Sequence, residues 1–107
     1  ALPLAPVDGA NTADTMPGTT ATDWLLGHGG GDLLIASDGN DTLEGGAGND
    51  TLDGGAGADT LLGGADADSL SGGTAADVLR GGDGNDTARG GNDADTLLGE
   101  GGADLLD

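Results

Sequence analysis

The fold class predicted by this 107-residue sequence is all-β, coiled from short parallel strands into two facing sheets. Three observations predict it. A nine-residue period runs from Gly9 to Asp107 without insertion or deletion, aspartate holds one fixed place in every unit, and an aliphatic residue stands two places after it. A unit this short cannot bury its own apolar residue, so units must stack and share one core.

The period divides the chain into eleven nonapeptides. Position 6 is Asp throughout, at Asp14, Asp23, Asp32, Asp41, Asp50, Asp59, Asp68, Asp77, Asp86, Asp95 and Asp104. Position 8 is Leu except at Met16 and Ala88, and position 1 is Gly except at Ala36. Glycines at positions 1, 2 and 4 allow positive φ and close backbone approach, so the first six residues form a tight turn. Residues 7 to 9 place Thr, Leu or Val around the apolar position, which suits a three-residue strand. Alternation sends position 8 inward and positions 7 and 9 outward. Two units then make one coil, and each unit lies over the unit two places on, about 4.8 Å away.

Composition sets the energetic problem. Gly and Pro are abundant and scarce respectively (25 and 3), Cys, Tyr and Phe are absent, and the formal charge is −18. Few large aliphatics with high net charge is the signature of disorder, so an ordinary thick-cored domain is excluded. Such a charge repels nucleic acid and anionic lipid. No apolar run approaches the length of a membrane-spanning helix. Ala1 to Asp8, without a basic residue, does not read as a secretory signal peptide and is taken as an irregular leader. Residues 9–26 form a degenerate amino-terminal cap, and 27–107 the regular coil.

Stacked units bring the position 6 aspartates into two columns. Like charges about 4 Å apart repel by roughly 1 kcal/mol even in water, so the columns need counter-charge. Carboxylates and glycine-turn carbonyls are hard oxygen donors, which suit Ca²⁺ better than the stricter octahedral Mg²⁺. The expected side-chain ligands are Asp32, Asp41, Asp50, Asp59, Asp68, Asp77, Asp86, Asp95 and Asp104, with weaker sites at Asp14 and Asp23. The turn backbone at Gly27, Gly45, Gly54, Gly63, Gly72, Gly81 and Gly90 is expected to contribute carbonyls. Gaps between stacked turns number nine at most, and the poor first two loops lower the expectation to about six to eight ions. With so thin a core, the metal-free chain is expected to be disordered and to fold as it binds the cation.

The units GGAGNDTLD at 45–53, GGAGADTLL at 54–62 and GGDGNDTAR at 81–89 resemble the GGxGxDxUx nonapeptides of RTX, or haemolysin-type, calcium-binding proteins. The resemblance extends over 9–107. It implies a right-handed parallel β-roll with Ca²⁺ between stacked turns, held by backbone carbonyls and the position 6 Asp. It further implies a bacterial protein exported by type I secretion, unfolded in the calcium-poor cytosol and folded outside the cell. RTX regions accompany a passenger domain, so a covalent passenger or a neighbouring copy is the implied partner. This chain departs from the pattern at position 4, where Thr12, Ala21, Asp66, Ala75 and Asp93 replace Gly. Asp66 and Asp93 either add a ligand or face solvent.

Catalysis finds little support. His28 is the only His and sits in a glycine-rich turn, and eleven equivalent aspartates suit repeated binding better than one reaction centre. The chain is therefore expected not to be an enzyme. The rival reading is a structural or adhesive module rigidified by Ca²⁺, of surface-layer, adhesin or ice-binding type. Trp24, Leu26, Leu33 and Ile35 are expected to gather apolar surface near the amino end, either capping the roll or docking a partner. The NDT triplets at Asn40, Asn49 and Asn85 match a glycosylation sequon but fall inside the turn motif.

Overall fold

The computed structural model describes residues 7–8, 15–17, 20 and 22–107. Within them the chain is all-β and has no helix. The strands in chain order are β1 (Val7–Asp8), β2 (Thr15–Pro17), β3 (Trp24–Leu26), β4 (Leu33–Ile35), β5 (Thr42–Gly46) and β6 (Thr51–Asp53). They continue as β7 (Thr60–Gly64), β8 (Ser69–Gly73), β9 (Val78–Gly82), β10 (Thr87–Gly91), β11 (Thr96–Leu98) and β12 (Leu105–Leu106).

Odd-numbered strands form one six-stranded sheet in the order β1-β3-β5-β7-β9-β11, and even-numbered strands form the other. All pairings are parallel, and the register is constant: Leu25 lies beside Leu43, Leu43 beside Leu61, and Leu61 beside Leu79. Each neighbour is thus 18 residues away, two nonapeptides, as the period predicts. The chain alternates between sheets at every unit and makes a β-solenoid of about five turns. β1 carries the same register into the presumed leader, since Val7 pairs with Leu25.

Position 8 builds the core. Leu25, Leu34, Leu43, Leu52, Leu61, Leu70, Leu79 and Ala88 are buried where the two sheets face each other. The smallest dimension is 19 Å, which fits two sheets about 10 Å apart with their outward side chains. Several strands run longer than the expected three residues. β5, β7, β8, β9 and β10 each continue through a glycine pair, as in the pairing of Gly46 with Gly64.

The apolar surface expected near the amino end is divided between the two sheets. Trp24 and Leu26 belong to β3, whereas Leu33 and Ile35 belong to β4 in the opposite sheet. Because the two sheets turn position 8 toward each other, their outward residues lie on opposite faces. Trp24 instead donates from Nε1 to Oε2 of Glu44 on the neighbouring strand, at 3.1 Å.

Candidate metal centre

The turn conformation separates the three glycine columns. Among the described residues, every positive φ falls at position 2 or 4, for instance 93° at Gly46 and 101° at Gly48. His28, Ser37 and Glu100 at position 2, and Asp66, Ala75 and Asp93 at position 4, adopt the same region without being glycine. Position 1 has no such φ, and glycine is needed there for space. A Cβ on Gly54 would come within 2.6 Å of Oδ2 of Asp59 and 2.9 Å of the Gly72 carbonyl.

This packing folds the position 6 carboxylate under its own turn. Asp32, Asp41, Asp50, Asp59, Asp68, Asp77 and Asp86 are buried, with 1–3 % of their surface exposed. Asp23, Asp95 and Asp104 are half-buried, and Asp14 lies outside the described residues. Gly27, Gly45, Gly54, Gly63, Gly72, Gly81 and Gly90 are buried against Oδ2 of the aspartate in their own unit.

The aspartates do stack in two columns. In one, the backbone N–H groups of Asp23, Asp41, Asp59 and Asp77 donate to Oδ1 of Asp41, Asp59, Asp77 and Asp95 in turn. In the other, those of Asp32, Asp50, Asp68 and Asp86 donate to Oδ1 of Asp50, Asp68, Asp86 and Asp104. Oδ1 is thus committed to the adjacent turn. Oδ2 of Asp41, Asp50, Asp59, Asp68, Asp77 and Asp86 is buried without a hydrogen-bond partner.

Burial pushes the carboxyls of Asp41, Asp77 and Asp86 above the usual carboxylate range. It takes Asp50 to about 6, and Asp59 and Asp68 to about 7. The N–H bond to Oδ1 opposes this rise, and the charge of stacked neighbours adds to it, as Asp41 and Asp77 do for Asp59. A buried carboxylate with one oxygen unsatisfied is costly. It must either hold a proton or meet a cation.

The donor set fits a hard cation. The turns offer carboxylate, backbone and amide oxygens, and His28 is exposed. Among the described residues no three His, Cys, Asp or Glu side chains converge, so an ion here would draw on backbone carbonyls to reach the six to eight oxygens that Ca²⁺ takes. Such carbonyls crowd the stacked turns: those of Gly39 and Gly30 fill the space that a Cβ on Gly57 and Gly48 would need.

Two sets of side chains contribute in a way the sequence did not reveal. Oδ2 of Asp66 and of Asp93 accepts from the N–H groups of Gly48 and Ala75, at 3.0 and 2.9 Å. Both aspartates are exposed, yet each is tied to the preceding turn of its column. Asn40, Asn49 and Asn85 reach the other way, accepting at Oδ1 from the N–H groups of Ala58, Ala67 and Ala103. The only available signal was that each partner lies 18 residues away at the same position of the unit.

A β-solenoid whose turns carry stacked, buried, half-satisfied carboxylates defines a class of repeat protein built around cations. The model of the RTX calcium-binding nonapeptide repeat matches the chain in four copies, at residues 8–43, 17–52, 35–70 and 71–106. The chain belongs to the RTX calcium-binding nonapeptide repeat family. No curated protein and no solved structure matches it. Among the described residues no helix is long and apolar enough to cross a membrane.

Proposed function

We propose that this chain is a calcium-dependent folding module of a secreted bacterial protein, and that it stabilises a passenger domain outside the cell. The observation that carries the reading is the buried, unpartnered Oδ2 of Asp41, Asp50, Asp59, Asp68, Asp77 and Asp86. Metal-free, these groups oppose the fold above their raised pKa values. A divalent cation supplies the missing positive charge and makes binding and folding one process. The position 6 carboxylates and the turn carbonyls near Gly27, Gly45, Gly54, Gly63, Gly72, Gly81 and Gly90 are the ligands in this reading. Ions numbering about six to eight fill the gaps between stacked turns. The chain's own part is to hold Oδ1 on the preceding turn, aim Oδ2 inward and exclude water. No catalytic role is assigned to it.

Type I export and extracellular folding are supported by family membership and by the scarcity of calcium that such a module needs inside the cell. Far-UV circular dichroism in calcium-free buffer at pH 7.5 and then in millimolar Ca²⁺ tests the central claim. The expected result is a change from a disordered spectrum to a β spectrum. Identical spectra in the two buffers would overturn it.

A further inference from the structure

Resting on the calcium reading above, we infer that Ala36 makes the turn of Asp41 a weaker cation site than the turns of Asp59, Asp77 and Asp95 in its column. Ala36 is the one unit-opening residue that carries a side chain. At Gly54, Gly63 and Gly72 a Cβ would lie only 2.5–2.6 Å from Oδ2 of Asp59, Asp68 and Asp77, where ordinary contact begins at 3.4 Å. The oxygen left for a cation therefore occupies the space that a methyl group would fill.

Ala36 is fully buried, with 0 % of its surface exposed, so its methyl cannot turn away into solvent. Its N–H is also fixed, donating to the Asp53 carbonyl at 2.8 Å. The carboxylate of Asp41 must yield instead. Its bond is the odd one among the eight that link the columns: Asp23 N–H lies 2.6 Å from Oδ1 of Asp41, against 2.8 Å for the other seven. The methyl crowds Oδ2 and the group is driven onto the preceding turn. Fewer arrangements of Oδ2 remain to receive an ion.

The only Trp sits beside this turn. Trp24 follows Asp23 directly and pairs with Thr42, which follows Asp41. Tb³⁺, a hard cation that takes oxygen ligands as Ca²⁺ does, emits when a nearby indole transfers energy to it. Trp24-sensitised Tb³⁺ emission therefore reads this turn, while circular dichroism reads the whole roll. The full chain and its Ala36→Gly variant are each titrated with Tb³⁺, and the bound ion is displaced with Ca²⁺.

The variant's emission midpoint should fall roughly three- to ten-fold in Tb³⁺ concentration. Structural effects of the substitution run the opposite way. Losing a buried methyl and freeing the unfolded backbone both disfavour folding and raise the midpoint. A lowered midpoint therefore reports the site itself. An unchanged or raised midpoint, with both proteins still folding in Ca²⁺, overturns the role of Ala36 alone. Absence of sensitised emission together with no Ca²⁺-induced change in circular dichroism overturns the calcium reading and this inference with it.

Discussion

At position 6 one aspartate makes two opposite demands. Oδ1 is satisfied by a backbone N–H of the neighbouring turn, while Oδ2 is left bare beneath its own glycine. The columns at positions 1, 6 and 8 were legible in the sequence because a nearly constant residue marks a constant environment, and all three columns are buried from Gly27 to Gly90. Why position 1 is glycine was not legible. The sequence shows a small residue but cannot show that its hydrogen faces a carboxylate rather than serving a positive φ. Nor could it show that Asp66 would bond to Gly48, since the direction in which a turn side chain leans depends on the turn's own φ. Replacing Asp66 with Ala removes that acceptor and places a residue less tolerant of φ = 74°. The expected loss is about 0.5–1 kcal/mol, read as a lower melting temperature in saturating Ca²⁺. Asp66→Asn, which keeps an acceptor, should lose less; equal losses would deny the bond its role.

Strands in this molecule are individually too short to stand, and each is defined by its neighbours. Register was legible, because any multiple of nine places Leu on Leu and two units to a coil select the 18-residue offset that both sheets show. Strand length was not. The glycine pair reads as turn by composition, yet stacking lets Gly46, Gly64 and Gly82 join the ladder in parallel. The apolar residues near the amino end are divided for a related reason: adjacent units in sequence are on opposite faces in space. Core energetics belong at this scale. Leu61 is fully buried with Leu43 and Leu79 on either side, so Leu61→Ala should cost about 2–5 kcal/mol. A urea midpoint in saturating Ca²⁺ checks this, with outward Thr51→Ala as a comparison expected to change stability by under about 0.5 kcal/mol.

For the whole molecule, pH and metal act in opposition. Burial pushes the carboxyls of Asp50, Asp59 and Asp68 up to about 6, 7 and 7 in the fold, from 3.8 for an ordinary aspartate. The folded state therefore binds more protons than the unfolded one between these values, and stability falls as pH rises through that interval. Without calcium, the roll should be best ordered near or below about pH 4, weaken through pH 5 and lose β signal toward pH 8, as followed by circular dichroism. With calcium the dependence reverses, because cations and protons compete for the same oxygens. More β signal at pH 8 than at pH 5 in calcium-free buffer would contradict the assignment of buried, unpartnered carboxylates.

The constant 18-residue span of the inter-turn bonds has a further consequence. Closing any one coil onto the next fixes the same length of chain, so no single contact far apart in sequence must form before the others. The molecule behaves as a row of nearest-neighbour couplings in which order can begin at any adjacent pair and spread along the axis in either direction. When cation is scarce, such a row does not switch as one body. It fills from the best coils outward, and the Asp41 turn with its extra methyl is where the spreading order halts first.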